Sequence, residues 1–79
     1  MDTISTQVRS VLFNFGIDIA SVTDDNELVN DLGLDSIELI ELAQDLEEEF
    51  DIEIPDSAIT AAMTVGQVVD AVKKIKREI

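Results

Sequence analysis

The chain contains no cysteine and no histidine. Without cysteine there is neither a disulfide framework nor a thiolate metal site, and without histidine the commonest general base and metal ligand is missing. Nucleophilic triads and zinc chemistry are therefore excluded, and no catalytic or metal site is expected. No apolar run approaches the length that spans a bilayer, and Met1 to Arg9 lacks the basic start and apolar stretch of a signal peptide. A cytoplasmic protein is expected, or an organellar one after processing. Bases are scarce: five Lys and Arg stand against eighteen Asp and Glu, a net charge of −13. Such a surface repels nucleic acid and anionic membrane, while it attracts basic protein surfaces over a Debye length. The expected partners are proteins, with no nucleic acid and no membrane insertion, and the chain itself is expected to be a monomer.

What is present is aliphatic. Hydrophobic residues make up 46% of the chain, nearly all Ile, Leu, Val and Ala, with three Phe and no Trp or Tyr. That is enough to fold a chain of this charge. Seventy-nine residues fit one domain over 1–79, since chains of this size bury only about 60% of their unfolded surface and close a single core. A large buried active site does not fit.

Ile4, Val8, Val11, Leu12 and Phe15 recur at helical spacing and predict a first helix from about Thr3 to Phe15, ended by Gly16. Phe13 lies opposite that stripe, so either the helix frays before it or the ring packs under the following loop. Gly16 to Asp35 has no sustained period yet holds seven large aliphatics, which predicts an ordered loop; connections this long in a compact domain are usually functional. Asp35 and Glu38 have the spacing of a capping box, opening a second helix to about Asp51 with a core stripe of Leu39, Leu42, Ala43, Leu46 and Phe50. Pro55 holds Ile54 extended and separates a short third helix near Ser57 to Ala62. Thr64 with Gln67 is a second capping box, opening a fourth helix through Val65, Val68, Val69, Val72 and Ile75. Lys73, Lys74, Lys76 and Arg77 crowd its last turns, opposing the negative end of the helix dipole. The expected fold is all-α, a four-helix bundle with a long first loop and a short third helix.

The second helix carries features that folding does not require. Ile37 lies roughly opposite its core stripe and Ile40 on the flank. Around them, ten of the eighteen acids fall between Asp35 and Asp56 with no base among them. A charge run is ordinarily a solvated face. A small apolar centre inside a charged rim is instead the anatomy of an interface.

Ser36 stands at the start of this helix, in Leu32-Gly33-Leu34-Asp35-Ser36-Ile37-Glu38-Leu39. By itself such a serine reads as a capping hydroxyl. The segment resembles the phosphopantetheine attachment motif of acyl carrier proteins, and the resemblance extends over the chain through Val22-Thr23, Val29 to Gly33, Glu41-Leu42, Leu46 to Asp51, Ile54-Pro55-Asp56 and Thr64-Val65. Asp-Ser-aliphatic alone is a weak signal; with the other segments at their proper distances it is strong. The resemblance implies a non-enzymatic carrier, with 4'-phosphopantetheine moved from coenzyme A onto Ser36 by a phosphopantetheinyl transferase. The thiol of that arm would hold acyl groups as thioesters and supply the nucleophile that a cysteine-free chain lacks. A serine at a helix N-terminus suits this role, since unpaired N–H groups and the positive dipole end can receive a phosphodiester.

Carried over residue by residue, the resemblance makes Asp35, Ile37, Glu38, Ile40, Glu41, Glu47, Glu48 and Asp56 candidates for docking the basic surfaces of acyl-transferring and chain-extending enzymes. It puts the acyl chain between the second and third helices, against Leu39, Leu42, Leu46, Ala58 and Ala62. Leu39, Gln44 and Ala62 depart from the fatty-acid-synthesis pattern, in which a small polar residue, a Met and a larger aliphatic stand there. A specialised lipid or polyketide pathway is thus as open as fatty acid synthesis. Two rival readings remain. An unmodified acidic adaptor would use the same helix without an arm. A calcium site on Asp24, Asp25, Asn26, Glu27 and Asp31 lacks the alternating ligands, central Gly and terminal Glu of an EF-hand loop.

Overall fold

A computed structural model describes residues 3–77, with the side chain of Asp56 left aside. It contains three α-helices: α1 (Thr3–Phe13), α2 (Ser36–Phe50) and α3 (Val65–Arg77). Each buries most of the stripe its sequence period predicts, while Ile4, Leu39, Ala43 and Ile75 are partly buried and Phe15 lies beyond α1, which ends two residues earlier than expected. Val8, Val11 and Leu12 come from α1, Leu42, Leu46 and Phe50 from α2, and Val65, Val68, Val69 and Val72 from α3. Helix α1 packs against both of the others. Its last turn tightens before Gly16, with Asn14, Phe15 and Gly16 N–H groups donating to the carbonyls of Val11, Leu12 and Phe13. Gly16 has φ +81°, a left-handed conformation that glycine adopts without a Cβ penalty.

The expected bundle of four helices is corrected to three. The segment expected to form the short third helix makes one 3-10 turn, Asp56–Ala58, closed by the Ala58 N–H donating to the Pro55 carbonyl at 2.9 Å. No side chain caps it, and Ile59 is already extended at φ −113°, ψ 115°. Three residues cannot repay the entropy of helix nucleation, and the β-branched Ile59 and Thr60 do not help to extend it. Ile59 and Met63 instead pack partly buried against the core, which draws this stretch out as a connector.

The long loop is ordered, with Val22, Leu28 and Leu34 buried in the common core. A short antiparallel bridge joins Glu27 to Thr64, and the Leu28 and Val65 N–H groups donate to the Met63 and Asn26 carbonyls. Arg9, the one base outside the α3 cluster, reaches from α1 into the same loop. Its guanidinium donates to the Val22 carbonyl at 2.7 Å and pairs with Asp24 at 2.6 Å. The Gly66 N–H donates to the Asp24 carbonyl at 2.9 Å, where a Cβ would stand 3.2 Å from that oxygen. The loop is thereby held by α1 on one side and by the start of α3 on the other.

Candidate functional site

The loop delivers the chain to α2 through Gly33, whose φ of +75° is the left-handed conformation that disfavours other residues. The Gly33 N–H donates to the Val29 carbonyl and the Leu34 N–H to the Leu28 carbonyl, so Leu34 drops into the core. Asp35 follows in an extended conformation as the N-cap. Its carboxylate accepts from the Glu38 N–H at 2.8 Å, and the Glu38 carboxylate accepts from the Asp35 N–H at 3.1 Å. The predicted capping box is complete.

Ser36 is the first residue of α2 and is exposed. Because Asp35 takes the cap, the Ser36 hydroxyl is spared that role and bonds to nothing among the described residues. The N–H groups of Ser36 and Ile37 likewise meet no acceptor there, while Glu38 and Leu39 N–H groups are taken by Asp35. An exposed primary hydroxyl thus stands beside two unpaired donors at the positive end of a fifteen-residue helix. Those groups fit a phosphodiester: the oxygen can be its attachment point, and the donors and dipole favour its negative charge.

Ile37 and Ile40 are 67% and 61% exposed, as their wheel positions predict. With Glu41, Gln44 and Glu48, all exposed, they fall at i, i+3, i+4, i+7 and i+11 and form one stripe along α2. Three of the other acids expected at a docking surface, Asp35, Glu38 and Glu47, have partners within the fold. Asp35 and Glu38 hold each other in the cap. Glu47 is half-buried, and its carboxylate accepts from the Ile54 N–H at 2.8 Å. Asp56 opens the 3-10 turn, and its side chain lies outside the described part of the structure.

Of the five residues expected around an acyl chain, Leu39 and Ala58 pack partly buried against the core that holds Leu42 and Leu46, and Ala62 stands apart. Leu42 and Leu46 are fully buried in the core, Ala58 is half-buried, and Ala62 is exposed in a turn. Leu39 is half-buried and lines a groove of about 380 Å³ with Ile40, Ala43, Gln44, Glu47, Ile54 and Ile59. One wall is α2 and the other is the chain around the 3-10 turn. Ala43 was legible as a core-stripe position, but the facing of Ile54 and Ile59 onto α2 was not; Ile59 is extended where a helix was expected.

In the first loop, Asp24 is paired with Arg9, Asp31 accepts from the Glu27 N–H at 2.7 Å, and Glu27 accepts from the Asn30 amide. Among the described residues no three His, Cys, Asp or Glu side chains are grouped to hold a metal ion. No helix among them is long and apolar enough to cross a membrane.

Residues 5–72 match the family model described as "Phosphopantetheine attachment site". The match runs from α1 into α3 and takes in the loop, the capping box, Ser36 and the groove beside Leu39.

Proposed function

The chain belongs to the phosphopantetheine attachment-site family of carrier domains, and on that premise we propose that it carries acyl groups as thioesters on a 4'-phosphopantetheine arm joined to the Ser36 hydroxyl. Domains of this family are non-catalytic carriers, and phosphopantetheine attachment is their defining feature. The observation that supports Ser36 is the division of labour at the start of α2: Asp35 caps the helix, and the neighbouring hydroxyl is exposed and unengaged.

When bound, the arm supplies a terminal thiol that holds an acyl group. The chain's own residues do the rest. The Ser36 and Ile37 N–H groups and the α2 dipole stabilise the phosphodiester charge. The stripe Ile37, Ile40, Glu41 and Glu48 presents an apolar centre with acids along it to the basic surfaces of a phosphopantetheinyl transferase and of acyl-transferring and chain-extending enzymes. The groove beside Leu39 shelters the proximal part of a hydrocarbon chain. Departures at Leu39 and Gln44 sit on this groove, which favours a specialised lipid or polyketide cargo alongside fatty acid synthesis.

Incubation with a phosphopantetheinyl transferase and coenzyme A, followed by intact-mass measurement, tests this reading. One arm is expected on the unsubstituted chain and none on Ser36→Ala. Modification that persists in Ser36→Ala overturns the site. No modification of the unsubstituted chain leaves the acidic adaptor as the better reading.

A further inference from the structure

Four large hydrophobic side chains are exposed among the described residues: Phe13, Ile19, Ile37 and Ile40. The last two belong to the stripe beside Ser36. Phe13 and Ile19, 62% and 38% exposed, belong neither to that stripe nor to the groove beside Leu39. They line a separate open depression of about 370 Å³ together with Ser10, Val11, Asn14 and Glu49. Phe13 is the last residue of α1 and still helical, so the helix does not fray before the exposed ring. A polar residue would serve the helix equally well at that position, and one exposed apolar residue alone would need no explanation. Two of them on one depression do.

The charge around the depression indicates what would sit there. Glu49 is the one charged residue lining it, and Asp18, exposed, adjoins Ile19 in the chain. The Glu49 carboxylate accepts only from the Gln7 amide, at 3.3 Å, so no cation neutralises it among the described residues. A second copy of this chain would bring another net charge of −13, and an anionic membrane would be repelled for the same reason. Glu49 lies thirteen residues beyond Ser36 on α2, about 20 Å along a helix axis. A partner seated there leaves the start of α2 open.

We infer that the depression between Phe13, Ile19 and Glu49 is a second protein-docking site, whose occupant is a basic protein surface offering an apolar side chain flanked by Lys or Arg. The aromatic ring and Ile19 supply the apolar contact, and Glu49 with its acidic surroundings selects the cation. Such a site would let one protein hold the carrier while another addresses Ser36.

An isotope-labelled NMR titration of the full chain with a synthetic amphipathic Leu/Lys helical peptide tests the inference, independently of whether Ser36 carries an arm. Saturable shifts are expected at the amides of Phe13, Asn14, Ile19 and Glu49, and they should shrink as salt is raised. Phe13→Ser and Ile19→Ser should each weaken that binding, the former on the order of tenfold, as for loss of an aromatic anchor. The double variant Ile37→Ala, Ile40→Ala should leave those shifts in place. Shifts confined to the start of α2, or unchanged by both Phe13→Ser and Ile19→Ser, overturn the site. Salt-independent binding overturns the basic occupant. Self-association by sedimentation, or binding to phosphatidylglycerol vesicles, that either serine variant abolishes would likewise replace that occupant with a second copy or a lipid surface.

Discussion

The Ile54 N–H donates to the Glu47 carboxylate at 2.8 Å across the end of α2, so the side chain of a helical acid holds the extended chain that leaves the helix. The bond is part-buried, and the same residue's carbonyl accepts from the Asp51 and Ile52 N–H groups. Asp51 closes the helix in a left-handed conformation, φ 54°, that few residues other than Gly, Asn and Asp adopt readily. Glu47 therefore fixes where Ile54 stands, and Ile54 is one wall of the groove beside Leu39.

Glu47→Ala is expected to cost about 1–2 kcal/mol, the value of a part-buried hydrogen bond to a charged acceptor. Glu48→Ala, one residue on and exposed, should stay within about 0.5 kcal/mol. Urea denaturation of the two variants distinguishes them. Equal stabilities would return Glu47 to the class of surface docking acids.

At the other end of α2 the cap and the hydroxyl should separate in the same way. Asp35→Ala removes the acceptor for the Glu38 N–H and is expected to cost about 1 kcal/mol. Asp35→Asn keeps an acceptor and should recover most of that. Ser36→Ala should change stability by less than about 0.5 kcal/mol, because its hydroxyl is exposed and unengaged. Thermal melts that show Ser36→Ala as damaging as Asp35→Ala would make Ser36 a structural residue.

On the stripe between these ends, charge and apolar contact should act on different rates. Glu41→Lys and Glu48→Lys should slow association with a phosphopantetheinyl transferase, and the deficit should fade at high salt. Ile37→Ala should speed dissociation with little change in salt dependence, by roughly 1–2 kcal/mol if it is an anchor. Asp70→Lys, exposed on α3, serves as the control. Stopped-flow binding at two ionic strengths reads both rates, and matching behaviour of all four variants would argue against a defined face.

Local pattern made much of this legible. Both capping boxes form at the residues their spacing marks, and Thr64 and Gln67 bond each other's backbone N–H as Asp35 and Glu38 do. The exposure of Ile37 and Ile40 also followed from their wheel positions. Features set by distant partners were not legible. Arg9 with Asp24, and Glu27 with Thr64, depend on long-range closure that no local period encodes. The short third helix failed for a related reason, since burial of Ile59 and Met63 outweighed a weak tendency to helix. Phe13 met neither expectation: it is the last helical residue of α1, and its ring stays exposed.

On the proposed reading the acyl chain lies in the groove beside Leu39, so the residue that should control cargo is one that lines it. Ala62 is exposed in a turn, so enlarging it fills no internal space. Ala43 is half-buried on α2 and lines the groove with Leu39, Ile54 and Ile59. Leu has nearly the helix propensity of Ala, so Ala43→Leu should leave α2 intact while its extra carbons occupy the groove. Each sheltered methylene of a bound chain contributes at most about 0.8 kcal/mol to the stability of the acylated form. Leu and the acyl chain would then compete for one volume, and displacing two or three methylenes should reduce the acyl-induced stabilisation by about 1–2 kcal/mol. Ala62→Ile should leave that increment unchanged. Melting curves of the unacylated and long-chain acyl forms of both variants and the unsubstituted protein measure it. An increment that survives Ala43→Leu but falls with Ala62→Ile would put the chain over the 3-10 turn instead of against α2.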